Sequence, residues 1–375
     1  MSTRTRSSGS VPVTRRLLAA RPVRTAAGAV GIGMALMLML LLSGLWAGVQ
    51  DRVTTYDDHL GADLVVVPPD TANLFADPGV LPGPTVEAVA GVTGVDQAAS
   101  LRTLYLILEL PHGKAAVAAV ASDPSSTLGG PWSFTRGTAP RTVDEVAVDA
   151  LFADQHDLDL GSRLPMLGHP MRVVGLTDDT ALFMTPLVFT TTDAMNQMLR
   201  SPDTTGSVLV TTSDPAATAQ ALGQAGYTVR TPAQLHDASL TQATKIYGSP
   251  VRLMVSVAFI AGTLIVALVA YTRVVEQQRD LGVLKALGAT PARIRRIAVT
   301  QTVTLTGLGA LAAVALFLLA RTVLAWWRPA FPVELTPATL TQAALAAAAM
   351  SLLAAWLPAH RLARMDAASA FRSQP

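Results

Sequence analysis

Four long apolar runs whose interiors carry no charged residue dominate this chain, at about 26–49, 251–272, 297–320 and 338–357. Each approximates the ~20 residues a helix needs to cross a ~30 Å hydrocarbon layer. No soluble core of ordinary size houses four such helices, so the runs predict membrane spans. Composition agrees. Half of the residues are apolar, 14% are charged and the mean hydropathy is +0.41, whereas soluble domains are about a quarter charged. The expected fold class is an α-helical integral membrane protein with four transmembrane helices and a large α+β extracytoplasmic domain between helices 1 and 2.

Basic flanks set the orientation, because positively charged loops stay on the cytoplasmic side. Arg4, Arg6, Arg15, Arg16, Arg21 and Arg24 precede the first run with no acidic residue among them. Arg273, Arg279, Lys285, Arg293, Arg295 and Arg296 separate the second run from the third, and Arg361, Arg364 and Arg372 follow the fourth. Segments 1–25, 273–296 and 358–375 are therefore expected inside: a basic lead, a connecting elbow and a tail. Segment 50–250, rich in Asp, is expected outside, as is the short loop 321–337. Both termini then lie in the cytoplasm of a multi-pass protein of the bacterial inner membrane. The first run lacks a small-x-small cleavage site after Trp46, so it reads as an uncleaved anchor rather than a signal peptide. The chain has no cysteine, which removes disulfides and thiolate metal sites from consideration.

Within 50–250, short β-branched or apolar stretches bounded by Gly, Pro, Asp or Ser read as strands: 63–67, 104–108, 116–121, 146–148, 171–176, 187–190 and 208–211. Segments 85–90, 193–199 and 215–225 read as helices, the last stopped by Gly226. Interleaving of this kind predicts an α+β domain. In the last loop, Trp326 and Trp327 suit the membrane interface.

The elbow reads EQQRDLGVLKALGATPARIRRIAVTQ over 276–301. Leu281, Leu284 and Leu287 recur at helical spacing, and Gly288 is a natural stop. Thr290 then caps a new helix with Pro291 at its first position, where a missing N–H costs nothing. A helix, a tight corner and a second helix carrying one apolar ridge and a charged collar make a docking surface. Catalytic patterns are not found. Gly113-Lys114 lacks both the earlier glycine and the following Ser/Thr of a phosphate-binding loop. There is no Gly-x-Ser-x-Gly elbow and no His-Glu-x-x-His. The cluster Asp154, His156, Asp157 and Asp159 fails calcium-loop spacing and reads as a solvated turn. The spans hold no Asp, Glu, Lys or His at mid-depth, which argues against a proton-coupled pathway.

Three places resemble one family. Leu17-Leu18, Arg21, Arg24-Thr25 and Gly28 with Gly31-Ile32-Gly33 resemble the start of its first span. Glu276 through Thr290 resembles its cytoplasmic motif, and Leu357-Pro358-Ala359 through Phe371-Arg372 resembles its tail. Asp144–Val148, Leu158–Ser162 and Met171–Leu176 are similar to strands of its periplasmic core. The family is the FtsX-like, MacB-like permease subunits of bacterial ABC transporters. Gln277, Gln278 and Asp280 depart from its motif. The resemblance implies a non-enzymatic permease that couples ATP hydrolysis by a separate ATPase subunit to movement of the outer domain, for export or mechanotransmission. ATP and Mg would be bound by that partner, with no cofactor in this chain. Glu276, Arg279, Asp280 and Lys285 would supply polar contacts, Leu281, Leu284 and Leu287 the docking ridge, and Gly288 the corner. Further partners implied are a like or similar permease in a dimer, membrane lipid, and a periplasmic adaptor or envelope protein, with no nucleic acid. The alternative is a membrane-anchored sensor or scaffold whose outer domain binds a ligand or regulates a cell-envelope enzyme.

Overall fold

The computed structural model describes residues 22–111, 113–277, 283, 287–327 and 331–364. The chain divides into two compact units, one of residues 49–247 and one contributed by the segments on either side of it.

The 49–247 unit is built on a ten-stranded sheet. In chain order its strands are β1 (Leu64–Val67), β3 (Gln97–Leu110), β4 (Gly113–Ser122), β5 (Phe134–Gly137), β6 (Glu145–Asp149), β7 (Arg163–Met166), β8 (His169–Thr177), β9 (Leu187–Thr191), β11 (Ser207–Thr211) and β12 (Thr228–Arg230). β2 (Leu81–Pro82) and β10 (Thr204–Thr205) pair separately. The spatial order is β12-β1-β11-β3-β4-β9-β6-β8-β5, with β7 on β8. The β4–β9 and β6–β8 pairs are parallel and the rest antiparallel.

The period-2 geometry of strands explains how this sheet is covered on both faces. On β4, Val117, Ala119 and Ala121 enter one apolar cluster while Ala118 and Val120 enter another. β6 divides the same way, Val146 and Val148 against Ala147, and so does β9, Val188 against Leu187 and Phe189. The central strands therefore read as unbroken apolar runs. Short helices close the faces: α2 (Thr85–Ala90), α3 (Ala150–Gln155), α4 (Thr192–Met198), α5 (Pro215–Gln224) and α6 (Pro232–Ala243). Asp149, Thr191, Asp214 and Thr231 cap α3 to α6 through side-chain oxygens, satisfying amides that a helix start leaves open.

Among the described residues, four helices are long and apolar enough to cross a membrane. They are α1 (Pro22–Asp58), α7 (Ser249–Glu276), α8 (Pro291–Trp327) and α9 (Pro337–Arg364), and α6 leads into α7 through a π-helical turn, Thr244–Gly248. All four run beyond the apolar stretches that predict them. Part of the expected loop 321–337 is in fact the last turns of α8, because Arg321–Trp327 contains no Gly or Pro to end a helix. Small residues draw the helices of this unit together. A Cβ on Gly33 would meet Ala312 at 3.0 Å and one on Gly309 would meet Ile32 at 2.6 Å, whereas Gly31 and Gly307 face no atom within 4 Å. Ile32, Leu36, Leu40, Val266, Leu305, Phe317 and Met350 fill the seam.

Phe189 is fully buried and meets Trp132 edge-on at 6.0 Å. Phe189→Ala is expected to cost about 3–5 kcal/mol, read as a lower denaturation midpoint in detergent by near-UV circular dichroism. Ile107→Ala, on a side chain 70% exposed, is expected to stay within about 0.5 kcal/mol of wild type.

Candidate functional site

The predicted docking elbow lies between α7 and α8. Glu276 is the last residue of α7, and Gln277 closes it by donating its N–H to the Arg273 carbonyl at 3.0 Å. Leu287 is 80% exposed, and its N–H reaches the Val283 carbonyl at 2.9 Å. Gly288 has φ +92, and a Cβ there would meet nothing within 4 Å. Torsion rather than space therefore requires glycine at this corner. Thr290 caps α8, its Oγ1 and carbonyl both accepting from Arg293 N–H. Arg279, Asp280, Leu281, Leu284 and Lys285 lie outside the described residues.

A small core supports this end of the unit. Val274 of α7 packs with Ile294 and Ala298 of α8, and Ala289 of the corner joins them. Gln301 Nε2 donates to Gln277 Oε1 at 3.1 Å. The corner is thus braced from both helices, while Leu287 stays exposed.

A second constellation has no counterpart among the expected site residues. It lies within the 49–247 unit, past the first apolar run, where the end of α1 meets α6. Tyr56 is fully buried and donates its hydroxyl to the Gly129 carbonyl at 2.8 Å, with its ring edge-on to Phe75 at 5.3 Å. Tyr56, Leu60 and Leu235 of α6 enter the same cluster as Val65, Val120 and Phe189. Beside them Ser239 of α6 donates its hydroxyl to Asp57 and accepts from Asn73 Nδ2 at 2.7 Å. Asn73 Oδ1 in turn accepts from Phe75 and Ala76 N–H. Next to this chain, His236 Nδ1 lies 2.8 Å from Asp58 Oδ1.

Burial pushes the Asp57 carboxyl up to about 6, and repulsion from Asp58 adds to this while the Ser239 hydrogen bond and His236 oppose it. Burial, with Asp57 alongside, also raises the Tyr56 phenol. An open cleft of about 450 Å³ runs past these groups, lined by Asp57, Asp58, Gly61, Pro232, His236 and Asp237. Among the described residues no cluster of His, Asp or Glu could hold a metal ion. Of the acidic cluster expected as a turn, Asp154 belongs to α3, while Asp157 and Asp159 follow it, Asp159 pairing with Arg136 at 3.0 Å. The turn reading thus holds only after Gln155, since Asp149 caps a helix ahead of it.

Comparison with known proteins places both units. Residues 25–226, more than half of the chain, match the MacB-like periplasmic core domain, and 252–367 match the FtsX-like permease C-terminal model. An uncharacterized ABC transporter permease of Mycobacterium bovis is 27% identical over 345 residues, covering 91% of this chain and 93% of its own. A counterpart in Mycobacterium tuberculosis matches equally. Among solved structures, the extracellular domain of the noncanonic ABC-type transporter YknZ from Gram-positive bacteria aligns at 14% identity with a TM-score of 0.35. It covers 45% of this chain and 98% of that one. The periplasmic region of MacB from Actinobacillus actinomycetemcomitans aligns at 11% identity with the same score, covering 48% and 94%.

The buried carboxylate sets a pH dependence. Asp57 titrates near 3.8 when unfolded and at about 6 when folded. Between those values the folded chain holds the extra proton, so stability falls as pH rises through this window and is level above it. Asp57→Asn still accepts from Ser239 but cannot ionise. Its unfolding midpoint is expected to lose that decline and to exceed wild type above the window, by at most about 3 kcal/mol. Melts across the window in one detergent check this; parallel wild-type and variant curves would refute it.

Proposed function

The chain belongs to the FtsX-like, MacB-like permeases of ABC transporters, and on that premise we propose that it passes work from a separate ATPase subunit to the 49–247 domain. The four apolar helices would cross the bacterial inner membrane with both termini in the cytoplasm and that domain outside. ATP and Mg would be held by the partner. The role of this chain is then mechanical, for export or for transmitting force to an envelope partner, in a dimer with a like or similar permease.

The observation that carries the reading is the treatment of the domain's two chain ends. α1 enters the domain and buries Tyr56, with Leu60 buried just past its end, while α6, which leads out of it, buries Leu235 in the same cluster. Ser239 and Asp57 fasten one helix to the other. A displacement of either helix therefore acts directly on the core of the sheet. At the other end of the chain's path, the elbow offers an exposed leucine beside a glycine corner braced by Val274, Ile294 and Ala298. An exposed leucine at such a corner, together with the charged and leucine residues that the sequence places before it, suits a shallow groove on a partner.

The test is co-purification from mild detergent of a P-loop ATPase with the tagged chain, compared with Leu284→Glu and Arg279→Glu. A charge placed on the ridge, or a reversed charge on its collar, is expected to cost about 2 kcal/mol of docking, roughly 30-fold in affinity. The ATPase should be recovered with wild type and largely lost with both variants. A folded chain that brings no ATPase would instead favour a sensor or scaffold whose outer domain binds a ligand or regulates an envelope enzyme.

A further inference from the structure

We propose that the 49–247 domain carries a lipid-contacting patch, formed by the Phe183–Met184 turn together with Lys245, Ile246 and Tyr247, that seats on the outer leaflet of the bilayer. The inference rests on the membrane topology proposed above.

The patch is located by two tethers on one loop. Between β8 and β9 the chain makes a tight turn in which Leu182 and Thr185 exchange backbone hydrogen bonds at 2.9 and 3.2 Å. Ahead of the turn, Asp179 is paired with Arg52 of α1. At its tip, Phe183 meets Tyr247 edge-on, ring centroids 5.6 Å apart. Arg52 lies just past the first apolar run, which ends at Val49, and Tyr247 just before the second, which begins at Val251. At a rise of ~1.5 Å per helical residue, Arg52 stands about 5 Å beyond its run. Tyr247 lies within about 14 Å of its own run even if the chain between were fully extended. Both tethers thus join the loop to residues that flank the apolar runs closely along the chain, which the proposal puts at headgroup depth.

The exposed chemistry fits that depth. Met184 is 57% exposed, Ile246 53% and Tyr247 38%, and Lys245 is exposed beside them. Met184 has φ +55, a conformation uncommon for a residue with a side chain, which suits a position where the tip projects rather than packs. Aliphatic tips, a tyrosine ring and a lysine whose stem lies on apolar surface while its ammonium meets phosphate are the groups that rest at a membrane interface.

The absence of cysteine makes the test direct. Met184→Cys, Ile246→Cys and, as a reference within the second span, Leu264→Cys are each labelled with an environment-sensitive fluorophore. The full chain is placed in nanodiscs of phosphatidylcholine and phosphatidylglycerol. The expected result is loss of iodide quenching at all three sites relative to the free cysteine adduct. Phosphatidylcholine bearing a doxyl group near the headgroup should quench Met184 and Ile246, and one with the doxyl deep in the acyl chain should quench Leu264. If Leu264 behaves as lipid-buried while Met184 and Ile246 stay open to iodide, the patch is overturned and the spans stand. Shielding from iodide without doxyl quenching at those two sites reveals a protein contact and overturns it equally. Leu264 open to iodide removes the topology, and the patch with it.

Discussion

The junction of α1 with α6 is the constraint on which the rest of the 49–247 unit depends. The two helices that bring the chain into the domain and out of it could have ended in surface loops. Instead each drives a large side chain into the cluster that backs the central strands, Tyr56 from one, with Leu60 following just past its end, and Leu235 from the other. The sheet therefore folds around its own chain ends. Removing either helix would open a cavity beneath Phe189 and Val120, since deleted core atoms are only partly replaced by relaxation of their neighbours.

A carboxylate beside that core is costly unless its oxygens are satisfied. Ser239 supplies one hydrogen bond, and Asn73 holds Ser239 while tying down the start of the following loop. The chain of polar contacts thus links α1, the Asn73 loop and α6. Its geometry is directional where the apolar cluster is not. Apolar contact would tolerate small sliding of one helix along the other, but the Ser239 to Asp57 bond would not. Apolar burial supplies the strength of the junction and the hydrogen bonds supply its register.

How much of this was legible in the sequence follows from the range over which each signal acts. The apolar runs were plain, because a membrane span is written in consecutive residues. So were β1, β4, β6, β8, β9 and β11, whose cores are short apolar runs bounded by turn residues. β5 was not, since all four of its residues are exposed and show no alternation, nor was β7, whose Pro165 argues against a strand. Helix ends lie beyond the apolar runs where hydropathy stops before helical propensity does, as at Arg321–Trp327. The corner at Gly288 could be read because a positive φ has a local signature. The Asp57 constellation could not, because residues 57, 73 and 239 are brought together only by the tertiary fold, and none of them is unusual in its own neighbourhood.

The same separation of scales bears on how such a chain can work. On the proposed reading, an elbow that a partner reads from outside would need its ridge and corner in consecutive residues, as the sequence has them at 276–288. A junction that, on the same reading, passes displacement within the chain would have no such requirement, and its residues would be free to be scattered. What it needs is stiffness along the helix axes together with contact to the core. α1 meets the first need by remaining helical from Pro22 to Asp58, a length of about 55 Å at ~1.5 Å per residue. α6 and α7 meet it with one exception, the π-helical turn at Thr244–Gly248. A π turn widens the hydrogen-bonded ring and interrupts the regular ladder. The outward path of the chain therefore differs from the inward one in its backbone ladder, and the irregular turn immediately precedes Ser249, where the apolar helix begins.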